Sequence, residues 1–372
     1  MKYFSNHHVR FKSFIVVLLA FVFLFSFLYS NQAHLVNSNP APFDVDIQTK
    51  SIAISEIKGF YSGYIGHRDI YDAFRNQEIY KNYKLSNKSH LDQSFDYEKI
   101  NNIKNVNSDR KIHLNFQDLG LIDFYKISYK IFGINSFSPT YLYYLILFIT
   151  SIIYIFSFFN EPKKLYLLFL LGISHLIMVH LIENVGQELY VVYNRRFLPV
   201  LSIIPTLYLS FIIIENRYRN VKSTILIFFQ TLFLFFIIYL RSSAEYQILV
   251  FVFLTLFIIF LKIKNIKETL TINKNLLIVL ISIIFFSTVF NAYNLLYKSP
   301  IYSLDRSGHL FWHAAYIGLA SHPESIEKYN IYPDDSTTSS IVKSRTRELY
   351  GTENWEKVGG INLFEKIIRE EY

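Results

Sequence analysis

The chain contains no cysteine, and among its 372 residues there are only 12 glycines and 9 prolines. Without thiols there is no disulfide to staple a polar segment and no thiolate metal site. Any polar part must therefore be held by packing on itself, on a membrane face or on a partner. Few apolar stretches are broken by glycine or proline, and few carry an ionisable residue near their middle. Both shortages argue against a carrier built on discontinuous helices. The low use of glycine and alanine, beside abundant Ile, Phe, Tyr, Asn and Lys, points to a low-GC prokaryotic gene.

Apolar runs fill the space instead. They lie at roughly 14–30, 139–159, 165–182, 198–214, 224–240, 246–261 and 275–296. Each is close to the ~17–25 residues that cross a ~30 Å hydrocarbon layer as a helix, the form that satisfies its own backbone hydrogen bonds there. The expected fold is an α-helical polytopic membrane protein with about seven transmembrane helices. It comprises a cytoplasmic N-terminus with the first anchor (1–30), a large external loop (31–138), a six-helix bundle (139–296) and an external, mostly helical C-terminal region (297–372). Ser30 and Ala33 after the first run also fit a cleaved signal peptide, but the length of the run favours an uncleaved anchor.

Charge supplies the orientation. Lys2, Arg10, Lys12, Lys163, Lys164, Arg217, Arg219, Lys222, Lys262, Lys264, Lys267 and Lys274 fall in alternate connections, where the only carboxylates are Glu161, Glu215 and Glu268. The positive-inside rule places these segments in the cytoplasm and the C-terminus outside, as in a multi-pass protein of the inner (cytoplasmic) membrane with a periplasmic tail. A formal net charge of +8 is thereby accounted for by topology, which removes the case for nucleic acid as a partner.

Some external charges are not explained in this way. Arg195, Arg196 and Arg241 stand on the side where cations are disfavoured, with Glu183, Glu188 and Glu245 nearby in sequence. Arginines at an outer interface fork onto phosphate oxygens, and a carboxylate within reach serves a hydroxyl acceptor as general base. Arg241 and Glu245, four apart, also fit a simple helical ion pair, and Arg195 with Arg196 fit contacts to anionic headgroups. The run from His113 to Phe132 reads as an interfacial helix that carries Asp118 and Asp123 at the membrane surface, with Gly133 ending it and Pro139 opening the next span. The glycine-aromatic stretch from Gly59 to Asp69 reads as a surface turn, and residues 31–58 as a linker with a short strand or helix.

Two of these stretches carry a resemblance. Arg195-Arg196-Phe197-Leu198-Pro199, running into a span with Pro205, and Asp118-Leu-Gly-Leu-Ile-Asp123, leading through Gly133 to Pro139, resemble motifs of polytopic GT-C glycosyltransferases of the protein mannosyltransferase-like, polyprenyl-phosphate-sugar-dependent kind. The resemblance implies transfer of a sugar from a lipid-phosphate-linked donor at the outer face during cell-envelope glycan or glycoprotein assembly. It implies Asp118 or Asp123 as base, and Arg195 or Arg196 at the donor phosphate.

Beyond the last run, His309 and His313 share one helical face, the spacing used by two imidazoles on a metal. The zinc-protease glutamate is replaced by Leu310, so a substrate- or headgroup-contacting pair or plain packing suits them better; the cofactor is left open, with a divalent metal compatible but not indicated. Residues 334–340 read as a capped helix start, and Trp355 to Tyr372 as one amphipathic helix. The competing functional reading is a non-enzymatic, membrane-anchored envelope assembly or binding protein.

Overall fold

The computed structural model describes residues 16, 18, 19, 21–24, 26, 40–77, 96–104, 110–113, 119–135, 137–184, 198–215, 221–241, 244, 247–249, 251, 253, 257, 274–300, 302, 335–358 and 360–371. The chain divides into two compact units, Met1–Leu114 with Asp118–Lys298, and Asn115–Gln117 with Ser299–Tyr372.

Among the described residues, five helical stretches are long and apolar enough to cross a membrane. They are α5 (Ser138–Phe158), α6 (Pro162–Asn184), a 3-10 turn (Leu198–Ser202) continuing into α7 (Ile203–Glu215), α8 (Val221–Leu240) and α9 (Lys274–Tyr297). The protein is thus an α-helical, multi-pass membrane protein in contact with a lipid bilayer. The expected first and sixth spans fall largely outside the described residues. The residues described between Val16 and Ser26 are helical, and Ser26 shares a 2.8 Å hydrogen bond with Tyr144 of α5.

Aromatic pairs fix the direction of two spans. Phe228 meets Phe286, Phe236 meets Phe290, and Tyr239 meets Tyr293, so residue numbers rise together and α8 runs parallel to α9.

At one end of the bundle, Lys164 at the start of α6 pairs with Glu161 and with Glu215 at the end of α7, beneath the rings of Phe158 and Phe211. The end of α5, the start of α6 and the end of α7 are therefore drawn together. A short connection leads from there into α8, so Tyr239, 18 residues into that helix, lies ~27 Å away at a rise of ~1.5 Å per residue. That distance is close to the full hydrocarbon thickness.

A helical layer caps that far end. It consists of α1 (Pro40–Ile57), β1 (Gly66–His67), α2 (Arg68–Arg75), α3 (Tyr97–Asn101), β2 (Lys111–Ile112) and α4 (Gly120–Phe132). The strands form a two-residue antiparallel ladder, Gly66 opposite Ile112. Asp96 caps α3 by accepting from the backbone N–H groups of Glu98 and Lys99. The Lys58 ammonium donates to the carbonyls of Ile100, Asn101 and Ile103 at the other end of α3. Gly133, at φ 82°, ends α4. Asn135 then accepts from the N–H groups of Phe137 and Ser138 to open α5, with Pro139 in its first turn.

One sequence expectation changes here. Residues 40–57 are not a linker with a short element but an 18-residue helix, buried on every side from Ile47 to Ser55 except at Gln48. Its polar residues masked it. Ser51 and Ser55 return their hydroxyls to the carbonyls of Ile47 and Ser51, which removes the cost of burying them. Each fully buried isoleucine, such as Ile47, Ile52 and Ile54, contributes about 1.5–3 kcal/mol. The stretch from 120 to 132 is helical as expected, and its exposed residues, Lys130 and Ile131, lie on one face. Leu121, Ile122, Asp123, Phe124, Tyr125, Ser128 and Tyr129 are all buried, because α1 covers one side while α5 and α8 take the other.

The second unit has a small core of its own. In it α10 (Asp335–Tyr350), α11 (Trp355–Val358) and α12 (Gly360–Glu371) bring together Val342, Leu363, Phe364, Ile367 and Ile368. The expected start of a capped helix coincides with α10. The expected single final helix is two, α11 and α12.

Candidate functional site

The capping layer and the span ends meet around Asp123. This residue sits on the first turn of α4, where Gly120 brings the helix against the backbone of Tyr239 and Leu240 at the end of α8. Asp123 is 6 % exposed. Its Oδ2 accepts from the phenol of Tyr64 at 2.6 Å and from the phenol of Tyr239, and its Oδ1 accepts from Tyr293 at 3.4 Å. Lys126, one turn along α4, reaches Asp123 at 3.0 Å and Glu56 of α1 at 2.6 Å. Tyr297, in the last turn of α9, donates to Glu56 at 3.0 Å and accepts from Lys126 at 3.1 Å. One ammonium thus serves two buried carboxylates, and three phenols further hold Asp123 while one holds Glu56.

Such an arrangement is stable only when complete. Buried charges cost several kcal/mol each unless paired and hydrogen-bonded, and here Asp123, Glu56 and Lys126 all are. Burial pulls the Lys126 ammonium toward neutrality, but the Glu56 hydrogen bond and the Asp123 charge outweigh it and hold its pKa above the usual lysine value. Burial, and then the neighbouring Asp123 charge, push the Tyr64 phenol far above the ordinary tyrosine value, so it stays a donor.

Tyr64 is unusual in its backbone as well. It has φ 66°, a left-handed conformation that costs a residue with a side chain about 1–3 kcal/mol. Its N–H donates to Glu56 Oε1 at 2.5 Å, its ring stands edge-on to Tyr297, and its side chain is fully buried. The Gly59–Asp69 stretch is therefore no plain surface turn, since its centre is threaded into the polar cluster by bonds at both ends of one residue.

Of the residues singled out in the sequence, Asp123 lies in this site. Arg241 follows α8 two residues after Tyr239 and is half-buried, its N–H returning to the carbonyl of Ile237 at 3.0 Å. Glu183 belongs to α6 near its end. Asp118, Arg195, Arg196, Glu188, Glu245, His309 and His313 lie outside the described residues. The 3-10 turn that begins two residues after Arg196 packs on α8, the helix that supplies Tyr239 and leads to Arg241. No group of three His, Asp or Glu suited to a metal occurs among the described residues.

Glu56, Tyr64, Lys126, Tyr239, Tyr293 and Tyr297 were not foreseen from sequence. A signal for part of the set existed. Tyr239 ends one apolar run, and Tyr293 and Tyr297, four apart, close another on one helical face. Comparison with known protein families, with curated proteins and with solved structures finds no match for this chain.

Proposed function

We propose that the protein is an integral-membrane transferase that takes a sugar from a lipid-phosphate-linked donor to a hydroxyl acceptor at the outer membrane face, in assembly of a cell-envelope glycan or glycoprotein. The observation that carries this reading is Asp123, a buried carboxylate paired with Lys126 and surrounded by hydroxyl donors where α4 begins and α8 and α9 end. Ionisable residues at such positions are costly and are retained for function or for a binding partner. The side is set by the cations of the opposite connections, which belong in the cytoplasm.

The chemistry is compact. Asp123 receives the proton of the acceptor hydroxyl as that oxygen bonds to the anomeric carbon. The bond from that carbon to the donor phosphate oxygen breaks, and the phosphate leaves with its electron pair. Arg241, with Arg195 and Arg196, neutralises the charge on the leaving phosphate.

A second reading has its own observation. Every heteroatom of the Asp123 carboxylate is already engaged within the protein, as in a clamp that fixes the capping layer on the spans. On that reading the protein is a membrane-anchored assembly or binding component. Asp123→Asn and Arg241→Ala variants separate the two. If both are present in the membrane at wild-type level and envelope glycans are unchanged in cells lacking the native copy, the transferase reading is lost; loss of a defined glycan with normal protein level supports it.

A further inference from the structure

The groups that engage Asp123 bear on what the site accepts. Tyr64 offers Asp123 a hydroxyl on a six-membered ring at 2.6 Å, with the ring edge-on to Tyr297 at 5.1 Å and 5.7 Å from the Lys126 ammonium. Tyr239 supplies a second hydroxyl on the same carboxylate oxygen, but Tyr239 is fixed in a span against Phe290 and Tyr293. Tyr64 is not fixed in an element. It lies in the connection between α1 and β1, held in a left-handed conformation between Gly59 and Gly63, both at positive φ, and Gly66. Gly59 has open space around it, whereas Gly66 is wedged between Ile52 and Ile112, so one end of the segment has room to turn and the other is anchored.

We propose that the Tyr64 ring stands in the place of the acceptor, and that residues 59–65 withdraw about the Gly66 anchor to admit a hydroxyl-bearing saturated ring, a saccharide, onto Asp123. The aromatic rings of Tyr239, Tyr293 and Tyr297 then provide the apolar faces on which a sugar ring packs. Asp123 Oδ2 keeps the phenol donor from Tyr239 and exchanges that from Tyr64 for the acceptor hydroxyl, while Tyr293 stays on Oδ1. The backbone bond from Tyr64 to Glu56 and the phenol bond to Asp123 break together, which links opening of the segment to both carboxylates of the cluster. The inference rests on the reading of Asp123 as the group that meets the acceptor hydroxyl.

The test uses the full chain in lipid nanodiscs with methyl β-D-glucopyranoside as probe, followed by saturation-transfer NMR. Tyr64→Ala is expected to bind the glucoside at least tenfold more tightly than wild type, and adding Asp123→Asn is expected to abolish the gain. Methoxycyclohexane, the same ring size without hydroxyls, is expected to gain nothing. Tyr64→Phe keeps the ring but frees Asp123 from the phenol, and is expected to bind the glucoside severalfold more tightly. It decides the matter where Tyr64→Ala does not fold. A folded variant that binds no better than wild type overturns the proposal, as does a gain that survives Asp123→Asn or is matched by methoxycyclohexane. Saccharide binding at Asp123 with envelope glycans unaffected by Asp123→Asn removes the transferase reading and leaves a saccharide-binding site; absence of binding with loss of a glycan does the reverse.

Discussion

A β-carbon built on Gly120 would overlap the carbonyl oxygen of Tyr239, so the first turn of α4 touches the backbone of α8 with no side chain between them. This contact sets the depth at which Asp123 meets the span ends. Neither partner is the tip of a flexible side chain, so relief requires the two helices to separate. Gly120→Ala is expected to lower stability by about 1–3 kcal/mol, and to lengthen the Tyr239 and Tyr64 bonds to Asp123. Gly172→Ala, whose nearest neighbour is a Val22 methyl at 3.3 Å, provides the mild comparison. Thermal unfolding of both variants in detergent measures the difference, and equal melting of the two would show that the contact is not tight.

Lys126 is the common partner of Glu56 and Asp123, so its removal leaves two buried carboxylates facing each other. Breaking a buried ion pair from one side costs about 3–5 kcal/mol, and Lys126→Met is expected to fall in that range. Neutralising all three groups, as Lys126→Met with Glu56→Gln and Asp123→Asn, is expected to recover most of the loss, because no uncompensated charge remains. Urea unfolding monitored by tyrosine and tryptophan fluorescence gives the comparison. A triple variant as unstable as the single one would mean that packing, not charge, dominates at Lys126.

The apolar runs were legible because a lipid environment admits only one pattern, and five of them coincide with helical stretches within a few residues. The 3-10 start at Leu198 also follows from the residues, since Pro199 cannot donate to a helical hydrogen bond. The helix over 40–57 was illegible for an equally physical reason. A helix buried on nearly all sides has no polar face to mark its period, and its Lys50, Ser51 and Ser55 suggest a surface that does not exist. Most of the site was hidden as well. Asp123 declared itself as an acidic residue beside a span, but Tyr64 reaches Asp123, and Glu56 reaches Lys126, through long-range packing that no local spacing encodes.

The pH dependence of stability follows from two groups in the cluster and one outside it. Tyr64 and Lys126 both bind their protons more tightly folded than unfolded. Their contribution is complete below the unfolded values, ~10 for tyrosine and ~10.4 for lysine, and is lost as pH rises through the folded values. These groups therefore give a flat profile through the neutral range and a decline on the alkaline side, which Tyr64→Phe should make shallower. The exposed Asp96 behaves in the opposite sense. The backbone N–H of Lys99 holds its carboxyl below the usual range, so its contribution is present above the unfolded carboxylate value and lost as pH falls through the folded one. Melting temperatures across pH 3 to 11 for wild type and Tyr64→Phe check the alkaline limb, and identical limbs would remove Tyr64 from the explanation.

Orientation is open to direct measurement because the chain has no cysteine, so a single introduced thiol reports without background. Ser62, beside the buried Tyr64, and Lys163, beside the Glu161–Lys164–Glu215 group, are both exposed and belong to opposite ends of the bundle. If the cation-rich connections face the cytoplasm, Ser62→Cys reacts with a membrane-impermeant maleimide on intact cells, or on spheroplasts where an outer membrane intervenes, and Lys163→Cys reacts only after lysis. The opposite result would place the Asp123 cluster on the cytoplasmic side and confine any donor it meets to that leaflet. A reaction at both positions in intact cells would contradict the spacing between the two clusters, because groups ~27 Å apart along a spanning helix cannot both be wet from one side of a ~30 Å layer.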